Sequence, residues 1–297
     1  MNINQSTFGK GTLSIKEVNQ DSVVAINIPD VCNIIAVADG LGSFHKSEFA
    51  SKFVCENLVD VIRKQNNLEQ VLLENVFEEI TLNLREKITE ELGNNDDLPE
   101  KSFGTTLLCC IETEDEFLIG YVGNGGIFHL RGNFNSFPDR FYLPWNSVNL
   151  LNPHSIEQSG KNAMYKLIEP NYKIEQIIPS VIRVHKDKLY FGDIIMLCSD
   201  GVYSYDEVQM GKDPNGKIWV SGEETMEKFY KHLNRYFSNE EYTNEALDAI
   251  IGEYLDDLKN NDLIHDDTSL ALVVTSKAKD FQHGKKAKKE NGKDQRN

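Results

Sequence analysis

The sequence predicts an α+β fold with antiparallel sheets, and three observations carry that expectation. Apolar residues switch repeatedly along the 297-residue chain between a period of two and a period near 3.6. The period-two segments come in runs, and the helical segments come in pairs. Alternating βαβ units would interleave strands and helices one by one, so this grouping argues for hairpin-linked strands with helices packed outside them.

Taken in order, segments near 12–17, 23–28 and 33–38 are short and rich in Val and Ile, and read as three strands joined by tight turns. From 46 to about 65, KSEFASKFVCENLVDVIRKQ places Phe49, Phe53, Val54, Leu58, Val61 and Ile62 at helical spacing. A second helix over about 68–93 puts Val76, Phe77, Ile80, Leu84, Ile88 and Leu92 on one face. Both stripes read as core packing. A polar break, NNDDLPEK at 94–101, precedes GTTLLCCIE, EFLIGYVG and GIFHLRG, three further strands in hairpin succession. Residues 132–187 scatter Pro138, Pro144, Pro153, Pro170 and Pro179 through mixed composition and read as a loop-rich insertion with little regular structure. A strand pair over 188–198, helices near 222–238 and 243–259, and a last strand TSLALVV at 268–274 complete a body spanning 1–276. The tail 277–297 has almost no apolar residue and most of its charge is positive, so it is expected to stay disordered.

Composition excludes several function classes. A formal charge of −16 argues against nucleic-acid binding, because phosphate backbones attract basic proteins, whereas an acidic body concentrates divalent cations. No stretch reaches the roughly 18 apolar residues of a membrane span, and MNINQSTFGKG lacks the basic and apolar regions of a signal peptide. A cytoplasmic protein is expected. The five cysteines, Cys32, Cys55, Cys109, Cys110 and Cys198, lie in apolar stretches without paired metal spacing and read as reduced, buried thiols. A cysteine nucleophile would need a phosphatase-type loop with its arginine, which this sequence lacks.

The chemistry is concentrated in aspartates. IIAVADG at 34–40 and IMLCSDG at 195–201 are both apolar runs that stop at an Asp-Gly pair. Asp21 lies between two strands, and Asp266 precedes the last one. Any single Asp at a strand end is accounted for by turn preference. Four of them, brought by a sheet to one rim, make a site. Clustered carboxylates repel one another unless a cation sits between them. An all-oxygen set favours Mg²⁺ or Mn²⁺ over Zn²⁺. Two such ions roughly 3.5–4 Å apart lower the pKa of a shared water and hold it for in-line attack on phosphorus.

The ordered series NQDS, VADGLGS, FGTT, VGNGG, GDIIMLCSDGV and HDDTSLALVV resembles the protein phosphatase 2C family, the metal-dependent serine/threonine phosphatases, and its bacterial branch especially. The resemblance runs in the family's order from about residue 12 to 275. It implies a four-layer α-β-β-α sandwich with two central antiparallel sheets and flanking helix pairs. It further implies a centre of two Mn²⁺ or Mg²⁺ ions, with a flap beside it in the 132–187 region. By position, Asp39 bridges both metals and the Gly40 carbonyl binds one of them. Asp200 and Asp266 ligate the other, and Asp21 supports the pair directly or through water. Asp39, Asp200 and Lys16 are the catalytic set, with Lys16 also binding substrate phosphate. A phosphorylated protein as substrate and a cognate serine/threonine kinase are the implied partners.

Four departures from the family pattern stand out. Lys16 occupies the place of a phosphate-gripping arginine and lacks its bidentate fork. Gln20 replaces a glutamate. DGLGSF puts Phe44 at a usual histidine position, with His45 one residue on, where it reads as a surface residue at a helix start. Asn124 in VGNGG replaces an aspartate, leaving a weaker third metal site. Two function classes remain open: an active phosphoserine/phosphothreonine phosphatase, or a weak or inactive member serving as a regulatory binding module. The retained metal carboxylates favour the first.

Overall fold

A computed structural model describes residues 6–65, 68–92, 99, 101–132, 147–158, 161–203, 207–213, 216–221, 223–238 and 242–293. The amino-terminal run is β1 (Thr7–Leu13), β2 (Asp21–Ile28) and β3 (Cys32–Asp39), followed by helices α1 (Ser47–Arg63) and α2 (Leu73–Leu92). Then come β4 (Leu107–Glu112), β5 (Glu116–Val122), β6 (Gly126–Leu130), β7 (Ser147–Asn149), β8 (Ser155–Gln158) and β9 (Lys161–Met164). The one-turn α3 (Ile174–Ile177), β10 (Ser180–His185) and β11 (Ile194–Cys198) lead to the hairpin β12 (Glu207–Asp213) and β13 (Gly216–Ser221). Helices α4 (Glu223–Tyr236) and α5 (Asn244–Asn260), strand β14 (Thr268–Val274) and helix α6 (Ser276–Lys293) finish the described chain.

Two five-stranded antiparallel sheets form the centre, in the orders β1-β14-β11-β6-β7 and β10-β5-β4-β3-β2. Three apolar clusters explain the layering. Val54, Leu58, Phe77, Ile80 and Leu84 of α1 and α2 pack on one face of the second sheet against Ala36, Cys109 and Ile111. Tyr230, Leu233, Ile251 and Leu255 of α4 and α5 pack on the first sheet against Met196, Leu270 and Leu272. The inner faces meet each other through Ile35, Val37, Leu108, Ile119, Ile195, Leu197 and Ala271. Strands buried on both faces read as continuous apolar runs, as β11 and β14 do. The fold is therefore the expected α-β-β-α sandwich.

Several boundaries move for physical reasons. β1 starts five residues before the expected strand, because Gly9 and Gly11 belong to it: a Cβ at either position would press on Leu247 or Ile251 of α5. Residues 132–187 hold more regular structure than expected, including β10, whose six residues all pair with β5. As an edge strand, β10 is only half-buried on alternate residues, so no continuous apolar run marks it. Positions 133–146 and 159–160 of that stretch, and 94–98 and 100 of the polar break, lie outside the described residues. The strand pair expected over 188–198 is one strand, β11, because the Asp187 carboxylate accepts hydrogen bonds from the N–H groups of Leu189, Tyr190 and Phe191 and folds them into a loop.

The tail also departs from expectation, since residues 277–293 belong to α6, while 294–297 lie outside the described residues. Ala278 and Gln282 are buried, and Phe281 stacks edge-on against Phe191 with ring centroids 5.0 Å apart. Three residues at helical spacing supply an anchoring stripe that the abundance of lysine in the segment concealed. All five cysteines are free and buried, as expected, and burial pushes the thiols of Cys32, Cys55 and Cys109 up to about 12. Among the described residues no helix is long and apolar enough to cross a membrane.

Candidate metal centre

Strand register brings the first two carboxylates together. β2 and β3 run antiparallel with Asp21 directly opposite Asp39, so the start of one strand and the end of the other share an edge. Asp39 is fixed by its backbone: its N–H donates to Thr106 Oγ1 at 2.9 Å, and its carbonyl accepts from the Thr106 N–H at 2.9 Å and from Thr105 Oγ1 at 3.0 Å. The FGTT motif thus acts as a clamp on the end of β3. Gly40 follows, its N–H bonded to the Gln20 carbonyl at 3.0 Å. A Cβ there would lie 2.6 Å from the Ser47 carbonyl oxygen, so only glycine lets the chain pass between the β1–β2 loop and the start of α1.

The other sheet supplies the remaining acids. β11 ends at Cys198, and Asp200 opens the 3₁₀ turn Asp200–Val202. Asp266 lies just before β14, the neighbour of β11 in the sheet. Ser199 stitches the two sheets together: its hydroxyl donates to Asp21 Oδ2 at 2.7 Å and accepts from the Ser269 N–H at 2.9 Å. The charges of Asp21, Asp200 and Asp266 all reach the Asp39 carboxyl. The four aspartates singled out in the sequence therefore meet at one end of the sandwich, with Asp39 in the middle.

Electrostatics reflect that crowding. Burial, then the charges of Asp21, Asp200 and Asp266, push the Asp39 carboxyl well above the usual carboxylate range. Burial raises Asp21 to about 6 against the opposing hydrogen bonds from Ser199 and Asp39. Asp200 is raised by burial and by Asp266. Lys16 forms an ion pair with Asp266 and donates to Gln20 Oε1 at 2.8 Å. Burial works against its ammonium, but Asp266, Asp267 and Asp39 outweigh burial and raise its pKa.

Asn124 sits between Gly123 (φ +106°) and Gly125 (φ +119°), a turn open mainly to glycine. Its Nδ2 donates to Asp200 Oδ2 at 2.7 Å, while its buried Oδ1 has no partner. His45 is exposed, and its backbone is hydrogen-bonded to Lys101 and Phe103. Phe44 lies against Gly104.

Two contributors left little or no trace in the sequence. Asp267, buried beside Asp266, accepts from the N–H groups of Ile15, Lys16 and Gln20 and from Ser14 Oγ at 2.8–3.3 Å, and so shapes the loop that presents Lys16. Its place in the Asp-Asp pair was the available signal. Ser199 carried none, because a serine beside a strand end is ordinary.

The donor set fits a hard dication. Asp21 Oδ1 and Asn124 Oδ1 are both buried without a hydrogen-bond partner, and both belong to residues hydrogen-bonded to the site's own groups. Among the described residues, no three His, Cys, Asp or Glu side chains already stand around one point at ligand spacing. Burial and mutual repulsion raise the carboxyls of Asp21, Asp39 and Asp200, and a cation among them would relieve that repulsion.

A family model described as protein phosphatase 2C matches residues 8–255. No curated protein sequence matches the chain. Among solved structures, the chain is similar to the serine/threonine phosphatase of S. agalactiae, with TM-score 0.61, 18% identity, and coverage of 91% of this chain and 100% of that one. The serine/threonine phosphatase Stp1 from Staphylococcus aureus gives TM-score 0.57 at 18% identity, covering 91% and 94%. The catalytic domain of the serine/threonine protein phosphatase PstP in complex with two manganese ions gives TM-score 0.58 at 16% identity, covering 91% and 99%.

Proposed function

Because this chain belongs to the protein phosphatase 2C family, we propose that it removes phosphate from phosphoserine and phosphothreonine in proteins, using a pair of Mn²⁺ or Mg²⁺ ions. The observation that carries this reading is the central position of Asp39, buried among Asp21, Asp200 and Asp266 drawn from both sheets, where burial and then their charges raise its carboxyl. In it, Asp39, the Gly40 carbonyl, Asp21, Asp200 and Asp266 would hold the cations. When bound, the ions supply an activated water and neutralise phosphate charge.

The chain's own residues do the rest. Lys16, partly exposed and paired with Asp266, would meet the substrate phosphate with its ammonium. Asp267 keeps the Lys16 loop in place. Ser199 holds Asp21 by one oxygen and leaves the other free for a cation or its water. Asn124 can offer an amide oxygen where a carboxylate would bind a further ion more strongly. A cytoplasmic location and a cognate serine/threonine kinase complete the proposal.

Hydrolysis of p-nitrophenyl phosphate and of a phosphothreonine peptide tests it. Activity should vanish in chelator and return with Mn²⁺, and Asp39→Asn should lower the rate at least ~10²-fold, as expected when a catalytic metal's ligand is lost. Turnover that persists in excess chelator would refute the mechanism. A melting temperature raised by Mn²⁺ without any hydrolysis would favour the regulatory reading, which the Lys16, Gln20 and Asn124 departures motivate.

A further inference from the structure

Far from the aspartates, the loop between β10 and β11 displays Leu189 at 74%, Tyr190 at 69% and Phe191 at 40% exposure. Large apolar side chains this open cost solubility, and they normally collapse onto a body that has room for them. Here the backbone prevents collapse. Asp187 accepts from the N–H groups of all three residues, and its own N–H donates to the fully buried Asp193 at 2.6 Å. Asp193 is paired in turn with Arg131 and His129. Lys186 and Lys188 tie the base of the loop to the turn before β5, through Thr113 and Asp115. The loop is held so that its apolar side chains point outward.

Directly beside it stands α6. Phe281 packs on Phe191, and Gln282 makes a contact with the body by donating to the Gly132 carbonyl at 2.9 Å. At Gly284 a Cβ would meet nothing within 4 Å, so the helix is already clear of the body there. Its remaining length carries Lys285, Lys286, Lys288, Lys289 and Lys293 against a single acid, Glu290, in a chain whose formal charge is −16. A rigid Leu-Tyr tip next to a lysine-rich helix is a pair of signals of different physical kind. Apolar insertion and attraction to anionic headgroups are each weak alone and together suffice for reversible attachment. Tyrosine suits the headgroup level in particular, with an apolar ring and a polar tip.

We propose that this face docks the protein on an anionic lipid surface, with Leu189 and Tyr190 entering the headgroup region and α6 supplying the electrostatic attraction. Lipid is the occupant that uses both halves of the face, because the local lysine excess of α6 complements anionic headgroups while the apolar tip beside it suits the headgroup–acyl boundary. The site is separate from the aspartate cluster, so attachment leaves small-substrate chemistry unaffected.

Co-sedimentation of the full chain with vesicles tests this, in chelator so that no divalent ion bridges carboxylates to lipid. Phosphatidylglycerol-containing vesicles should carry the protein down and pure phosphatidylcholine vesicles should not, and ~0.5 M salt should release it. Leu189→Ser with Tyr190→Ser should weaken binding by ~10-fold or more, as should Lys285→Gln with Lys286→Gln and Lys288→Gln. Both variants should keep wild-type melting temperature and turnover of small substrates. Equal partition to both lipids, no sedimentation with either, or indifference to both variants would overturn the proposal. So would a concentration-dependent dimer in analytical ultracentrifugation that the Leu189 and Tyr190 changes dissociate.

Discussion

The Asp21–Asp39 pair shows how much one register position decides. Burial penalises the charged form, which is why Asp21, directly opposite Asp39 in the register, sits near 6 instead of the usual carboxylate value even though its hydrogen bond from Ser199 lowers it. A carboxyl raised in the folded state stabilises the fold fully below its unfolded pKa, about 4, and loses that contribution as pH rises through about 6. The metal-free protein should therefore lose melting temperature between pH 4 and pH 7, and Asp21→Asn should flatten the decline. Added Mn²⁺ should raise the melting temperature more at pH 7.5 than at pH 5, because at the lower pH protons compete for the same oxygens. A decline of equal slope in Asp21→Asn would remove Asp21 from this role. Asn124 is the other informative residue. Its amide donates to Asp200, so Asn124→Asp replaces a hydrogen bond with a repulsion in the metal-free state and should cost about 1–3 kcal/mol there. With metal present the added carboxylate should let activity saturate at lower Mn²⁺ concentration. Superimposable Mn²⁺ titrations would leave Asn124 as a turn residue alone.

At the scale of elements, the site depends on loops held by buried acids. Asp267 gathers four donors from the segment between β1 and β2, and this segment carries both Lys16 and Gln20. Asp267→Ala leaves those donors unpaired and should cost at least ~2 kcal/mol, with a larger loss in kcat/KM for phosphopeptide than in Mn²⁺ affinity. Urea denaturation and steady-state kinetics measure the two effects; an unchanged kcat/KM would show that the loop keeps its shape without the acid. Residues 276–284 form an element whose anchoring is visible only in three dimensions. Ala278 joins the core beneath α4 and α5, and Gln282 is buried, so deleting residues 276–297 should lower the melting temperature. Deleting 285–297 should leave it unchanged. Each kcal/mol lost corresponds to roughly 2 °C or more in a chain of this size, which differential scanning calorimetry resolves. Equal melting temperatures for the two truncations would mean that α6 contributes nothing to the body.

For the whole molecule, the sandwich brings together acids that lie far apart in the chain. Asp21 and Asp39 come from one sheet, and Asp200 and Asp266 from the other, and only face-to-face packing through Ile35, Val37, Ile195 and Leu197 brings the two rims level. The fold class, both helix pairs, β14 to the residue, and the four aspartates were all legible in the sequence. Their signals are local: a hydrophobic period, an apolar run that stops, an Asp-Gly pair. Edge strand β10, glycine-bearing β1 and the anchored start of α6 were not legible, because each is settled by what the partner surface provides. A half-buried edge looks like a loop, and two glycines look like a turn until a helix lies across them. The same division holds at the site. Residue type and order along the chain led to the expectation of a hard-metal centre and singled out four carboxylates that the fold brings together. Only the tertiary structure decided that Asp39 is central, that Asp267 builds the Lys16 loop, and that Ser199 joins the sheets, because hydrogen bonds between residues more than a hundred positions apart leave no periodicity in sequence.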